Sequence, residues 1–140
     1  MIAVDTSVLV AGLCAWHADH DRARRVLARG PWLPAHAYLE TYATLTRLPA
    51  PYRVRAADSV ALVDQFRNRL LVPTPEAVIG LPQLLATHSI TGGSTYDALI
   101  ATTVAHPGGA SRAPSVETLY TLDQRARLTY ALFDISIQAP

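Results

Sequence analysis

Four acidic positions in this sequence could do chemistry together: Asp5, Glu40, Asp97 and Asp123. Asp5 opens Asp5-Thr6-Ser7 directly after the apolar run Met1 to Val4, and Asp123 closes Thr121-Leu122-Asp123 after a late apolar run. Carboxylates within a few ångströms of one another repel and raise each other's pKa. A hard divalent cation such as Mg²⁺ or Mn²⁺ reverses this, because it takes oxygen ligands and tolerates a shell completed by water and phosphate. One or two such ions can activate water, align it with a phosphodiester and stabilise the leaving oxygen.

Each acid also has a purely structural explanation. Asp, Ser and Thr are favoured helix N-caps, so Asp5, Thr6 or Ser7 could cap a helix beginning near Val8, and Asp123 one over Gln124 to Leu128. Ser94-x-x-Asp97 reads as a capping box. Glu40 falls inside a helix, where glutamates are mostly solvent-exposed. Asp97 is harder to set aside, because it heads a stripe with Ile100, Ala101 and Val104 and so lies on the face to be buried. A lone buried carboxylate costs several kcal/mol unless compensated.

The elements that must position these acids alternate between strand and helix. Met1 to Val4 reads as a short strand buried on both faces, with Asp5 at its carboxyl end, where open parallel sheets bind ligands. Helices are expected over His17 to Gly30, Ala35 to Leu48, Val54 to Leu70, Pro75 to His88 and Thr95 to Ala105. Pro82 predicts a kink or a later start in the fourth of these. On the helix carrying Glu40, Ala43, Thr44 and Arg47 share its side, and Leu39, Tyr42 and Leu45 mark the apolar face. Val60, Leu62, Val63 and Phe66 mark the buried side of the next. Leu70 to Pro73, Val116 to Leu122 and Ala131 to Ile137 are further strands, Pro31 to Pro34 is a short extended piece, and His106 to Pro114 is a surface loop carrying Arg112. The alternation implies a three-layer α/β/α single domain over residues 1–140, with a central mainly parallel sheet.

Composition sets the outer limits. Half of the 140 residues are hydrophobic and 16% are charged, which fits a folded chain and not a disordered one. All 12 basic residues are arginine, and the net charge of +1 gives no global basic field. Any polyanion would be held by local arginines, whose planar forks suit phosphate; Arg47, Arg112 and Arg125 are the candidates for phosphate contacts. Cys14 is the sole cysteine, which excludes an internal disulfide or a thiolate cluster. With no apolar run near 20 residues and no basic leader before the first strand, a cytoplasmic protein is expected. The five histidines are not spaced for a metal cluster.

Asp5-Thr6-Ser7, Glu40, Tyr96-Asp97-Ala98-Leu99-Ile100-Ala101 and Thr121-Leu122-Asp123, in that order, resemble the signature of PIN domains. The short chain is similar to VapC-type toxins of bacterial toxin–antitoxin pairs, and the resemblance spans essentially its whole length. It implies a PIN-like fold and a Mg²⁺- or Mn²⁺-dependent endoribonuclease. It also implies a homodimer, a cognate VapB-like antitoxin that covers the acidic pocket, and an RNA substrate, with transfer RNA as a candidate. Carried over by position, Asp5 and Asp97 are metal ligands, and Glu40 and Asp123 complete the acidic cluster. Ser7 and Thr121 orient ligands or water. Many relatives carry a further acid two positions past the Asp123 equivalent and then an aromatic; Arg125 and Arg127-Leu128 stand here, which bears on a second ion. A phosphotransferase of the haloacid-dehalogenase kind would want an acid where Ser7 stands. No Gly-x-Gly-x-x-Gly follows the first strand, against a Rossmann domain. The remaining alternative is a PIN-like domain whose acids serve only as caps and which binds protein or RNA without cleaving.

Overall fold

The computed structural model describes residues 1–108 and 115–140. Its elements run β1 (Ile2–Val4), α1 (Thr6–Leu13), α2 (His20–Leu27), β2 (Leu33–Pro34), α3 (Ala35–Arg47), α4 (Ala56–Asp64), β3 (Leu70–Pro73), α5 (Pro75–Thr87), α6 (Ser94–Ala105), β4 (Pro107–Gly108), β5 (Thr118–Tyr120), α7 (Gln124–Tyr130) and β6 (Ser136–Gln138). Two ladders, β1-β5-β6 and β2-β3-β4, are joined where Val4 N–H donates to the Trp32 carbonyl and Trp32 N–H to that of Ile2. The strands pair in parallel except β4, which runs antiparallel to β3.

Successive residues of a strand point to opposite faces, yet Ala3 and Val4, Leu33 and Pro34, and Leu119 and Tyr120 are all buried. Helices therefore cover the sheet on both sides, which is the three-layer α/β/α arrangement. The register aligns Val4 with Tyr120, so the residues that follow, Asp5 and Thr121, emerge side by side at one sheet edge.

Several boundaries differ from the sequence reading. The helix expected from His17 begins at His20, because the His17 ring takes the Asp19 amide proton at 3.1 Å and holds the chain in turns. The long helix over Val54 to Leu70 is α4 followed by a 3₁₀ turn at Arg67–Arg69. Its apolar side is also misjudged: Ser59 and Val63 face inward and Val60 faces solvent. Leu39, assigned to the apolar face of α3, is exposed, since Ala37, Thr41 and Leu45 occupy the buried row. α5 starts at Pro75, capped by the Thr74 hydroxyl, and continues through Pro82. Pro107 and Gly108 pair with β3 instead of looping; residues 109–114, with Arg112, lie outside the described residues. Of the strand expected over Ala131 to Ile137, only the end is formed, as β6.

Candidate active site

α1 begins where β1 stops, and its first amides need acceptors. Asp5 supplies one: its Oδ1 accepts from the Val8 amide at 3.2 Å and from the Ser7 hydroxyl at 2.6 Å. Its Oδ2 accepts from the Tyr130 phenol at 3.2 Å. The carboxyl is almost wholly buried, which pushes its pKa up, while hydrogen bonds from Ser7, Thr121, Val8 and Tyr130 resist that shift. Burial and the charges of Asp5 and Asp97 drive the Tyr130 phenol far above its ordinary range, so it remains a proton donor to Asp5.

The same junction recurs between β5 and α7. Asp123 caps α7, its Oδ1 accepting from the amides of Arg125 at 2.7 Å and Ala126 at 3.2 Å. Thr121 Oγ1 accepts from the Asp123 amide at 2.9 Å and lies 3.5 Å from the Ser7 hydroxyl. Ser7 Oγ in turn accepts from the Leu122 amide at 2.8 Å, tying the two strand ends together.

Glu40 and Asp97 come from the packed helices. Glu40 Oε2 accepts from the Thr6 hydroxyl and lies 4.0 Å from His36 Nε2, whose ring stacks on Tyr96. Asp97 sits in the first turn of α6, seated by the buried Ile100, Ala101 and Val104. The capping box is not formed: Gly93 holds the cap position and no side chain bonds there. The half-buried Asp97 carboxyl is raised to about 6, first by burial and then by the charges of Asp123, Glu40 and Asp5.

All four acids line one cavity of about 460 Å³, together with Thr6, Ser7, His17, Asp19, Thr44 and Tyr130. Among the described residues no arginine pairs with any of the four. Asp19, on the same wall, is paired with Arg22, but the four acids present hard oxygen donors of the kind that a divalent cation takes. As the side chains stand, no three acid, histidine or cysteine groups among the described residues already converge as a ligand shell, so an ion would draw them together or reach some through water.

Of the sequence candidates, Asp5, Ser7, Glu40, Asp97 and Asp123 line the cavity, and Thr121 supports it from below. Arg47 and Arg125 are exposed and line no part of it. The sequence reading missed Thr6 as the partner of Glu40, gave Tyr130, His17 and Asp19 no part in the site, and placed Thr44 on the Glu40 side of its helix without a role. Tyr130 had a legible signal, falling two helical turns past Asp123; His17 and Asp19 had none, because a turn places them.

The family model for the PIN domain matches residues 2–131. The chain belongs to the PIN-domain family. Within it the chain falls among VapC ribonucleases: it is 44% identical to Ribonuclease VapC40 of Mycobacterium tuberculosis over 99% of this chain and 98% of that one. It is 36% identical to Ribonuclease VapC27 of the same organism, over 97% and 94% of the two chains. Among solved structures, the fold is shared with M. tuberculosis VapC20, a sarcin–ricin loop cleaving toxin, at a TM-score of 0.69 and 24% identity over 97% and 99% of the chains. FitAB bound to an IR36 DNA fragment follows at 0.63 and 17%, covering 100% of this chain and 95% of that one. VapC toxins pair with antitoxins, and PIN-domain VapC ribonucleases are generally dependent on divalent metal. No helix among the described residues is long and apolar enough to cross a membrane.

Proposed function

We propose that this chain is a Mg²⁺- or Mn²⁺-dependent endoribonuclease and the toxin of a type II toxin–antitoxin pair. The observation that carries the reading is the meeting of four carboxylates from four separate elements at one cavity, with no arginine paired to any of them among the described residues. Asp5 and Asp97 are the direct ligands in this reading, with Glu40 and Asp123 completing the shell. An ion held by these residues would supply the positive charge that draws in a phosphodiester and polarises it toward attack by water. Ser7 and Tyr130 hold the Asp5 carboxyl in one orientation, and Thr121 fixes the Asp123 backbone beside it. Thr6 orients Glu40 toward the cavity. The partners in this reading are RNA, with transfer RNA among the candidates, a VapB-like antitoxin covering the acids, and a second copy of the chain, all in the cytoplasm.

Cleavage of total bacterial RNA in Mg²⁺, Mn²⁺ and EDTA, beside Asp97→Asn, tests the proposal. Discrete metal-dependent fragments absent with the folded mutant are expected; undiminished cleavage by Asp97→Asn would sink the assignment. A silent, binding-only domain is the second reading, in which Asp5 and Asp123 serve as the helix caps that their hydrogen bonds make them. Calorimetric titration with Mn²⁺ separates the two, since the silent domain binds no ion.

A further inference from the structure

Beside the acidic cavity lies an aromatic pair that the reaction chemistry leaves unused. The rings of Trp16 and Tyr52 pack with centroids 4.5 Å apart and a tilt of 38°, yet remain 47% and 45% exposed. Trp16 also packs at 5.9 Å on His17, which lines the cavity. Large aromatic rings left half in water beside a functional cavity have apolar faces still to be covered.

The surroundings of the pair indicate what covers it. Glu40, Thr44 and Arg47 follow at helical spacing along α3, so one stripe leads from the cavity to an exposed arginine at the helix end. The chain then folds back: the Tyr52 amide donates to the Pro49 carbonyl and the Val54 amide to that of Leu45, which places Tyr52 at the tip of this turn. Arg53 is pinned in the same turn by its Nε bond to the Leu48 carbonyl at 2.9 Å. Among the described residues neither Arg47 nor Arg53 meets a carboxylate. Exposed aromatic faces flanked by unneutralised arginines form the surface that single-stranded nucleic acid takes, base on ring and phosphate on guanidinium.

We infer that Trp16 and Tyr52 form a stacking platform for an unpaired base of the RNA, with Arg47 and Arg53 on the adjoining phosphates. The inference rests on the ribonuclease reading for its substrate and names that substrate as single-stranded. Duplex RNA buries its base faces in its own stack and cannot use such a platform.

Trp16 is its own reporter, since Trp32 is the one other tryptophan. Full-length Asp97→Asn protein in EDTA is titrated with a mixed-sequence single-stranded RNA decamer and with the same decamer as a duplex. Trp emission should be quenched by the single strand and not by the duplex. Adding Trp16→Ala should weaken single-strand binding about 5- to 150-fold, the equivalent of one base–aromatic stack. Adding Trp16→Phe instead should retain most of the affinity while losing the quench. Arg47→Ala should flatten the salt dependence of log K by about 0.7, one phosphate contact on a single strand. In the otherwise wild-type chain, Trp16→Ala should raise KM and spare kcat.

Unchanged affinity and KM in Trp16→Ala, or equal quenching by the duplex, would overturn the platform and leave the nuclease standing wherever the wild type still cleaves. Emission that follows protein concentration and ignores RNA would also overturn it, marking the face as an interface between copies. Loss of the nuclease reading shows separately, as a wild type that cleaves no RNA in either metal.

Discussion

Asp97→Asn should stabilise the metal-free protein while removing its activity. Asp97 accepts no hydrogen bond among the described residues, so the substitution breaks none, and it removes a charge that burial, Asp123, Glu40 and Asp5 all disfavour. The rise from 3.8 to about 6 corresponds to about 3 kcal/mol at about 1.4 kcal/mol per tenfold. The carboxyl is half-exposed and solvent screens much of this, leaving on the order of 1 kcal/mol. Folded Asp97 holds its proton more tightly than the unfolded chain does. The native state therefore binds more protons between pH 3.8 and about 6, and stability falls as pH rises through that window. In EDTA at pH 7.5 the mutant should melt about 3–5 °C above the wild type, and the gain should shrink at pH 5. Saturating Mg²⁺ should narrow or reverse the order, because a ligand bound to the native state stabilises it by mass action. Differential scanning calorimetry with and without EDTA measures all three. A mutant less stable than wild type in EDTA at pH 7.5, or a gain equal at both pH values, would refute the charge-crowding argument.

Asp123→Asn keeps a competent cap and loses the charge, so thermal stability should change little while Mn²⁺ affinity by calorimetry falls; Asp123→Ala loses both and should cost about 1 kcal/mol more. Equal melting of the two variants would show that the cap contributes nothing. Tyr130→Phe strips a donor from the buried Asp5 carboxyl and should lower urea stability by about 1.5–3 kcal/mol. A loss below about 0.5 kcal/mol would mean that Asp5 is protonated or rearranged in the native state.

The parts of the fold legible in the sequence were those where one physical demand dominates a short stretch. Ile2 to Val4 and Leu70 to Pro73 are apolar runs closed by an acid or a proline, and both are strands. The buried rows of α3 and α4 were misread because a hydroxyl residue occupies a core position in each. Thr41 is completely buried, its hydroxyl bonded to the Ala37 carbonyl at 2.7 Å, and Ser59 is completely buried on α4. A hydropathy stripe counts such residues as polar and rotates the inferred face toward Leu39 and Val60. β2 and β4 have two residues each and no periodicity to read; they exist because β3 lies between them.

For Asp5 and Asp123, helix cap and functional acid proved to be compatible descriptions, and the reason is geometric. In a parallel sheet each strand's carboxyl end feeds a helix whose amides need an acceptor, and that same edge is the ligand crevice. A carboxylate has two oxygens: at Asp123 the cap occupies Oδ1 and leaves Oδ2 without a partner among the described residues. At Asp123 capping thus fixes the carboxylate by backbone bonds and leaves Oδ2 open, whereas at Asp5 both oxygens already accept hydrogen bonds, Oδ2 from Tyr130. The parallel register of Val4 with Tyr120 then sets two such ends side by side. Asp97 accepts no capping hydrogen bond among the described residues, and burial and its three acidic neighbours all oppose its charge. Its place in the first turn of α6 suits the helix dipole, yet burial and like charges still hold its pKa up, and it is the residue at which the sequence's coincidence of four acids becomes a physical argument.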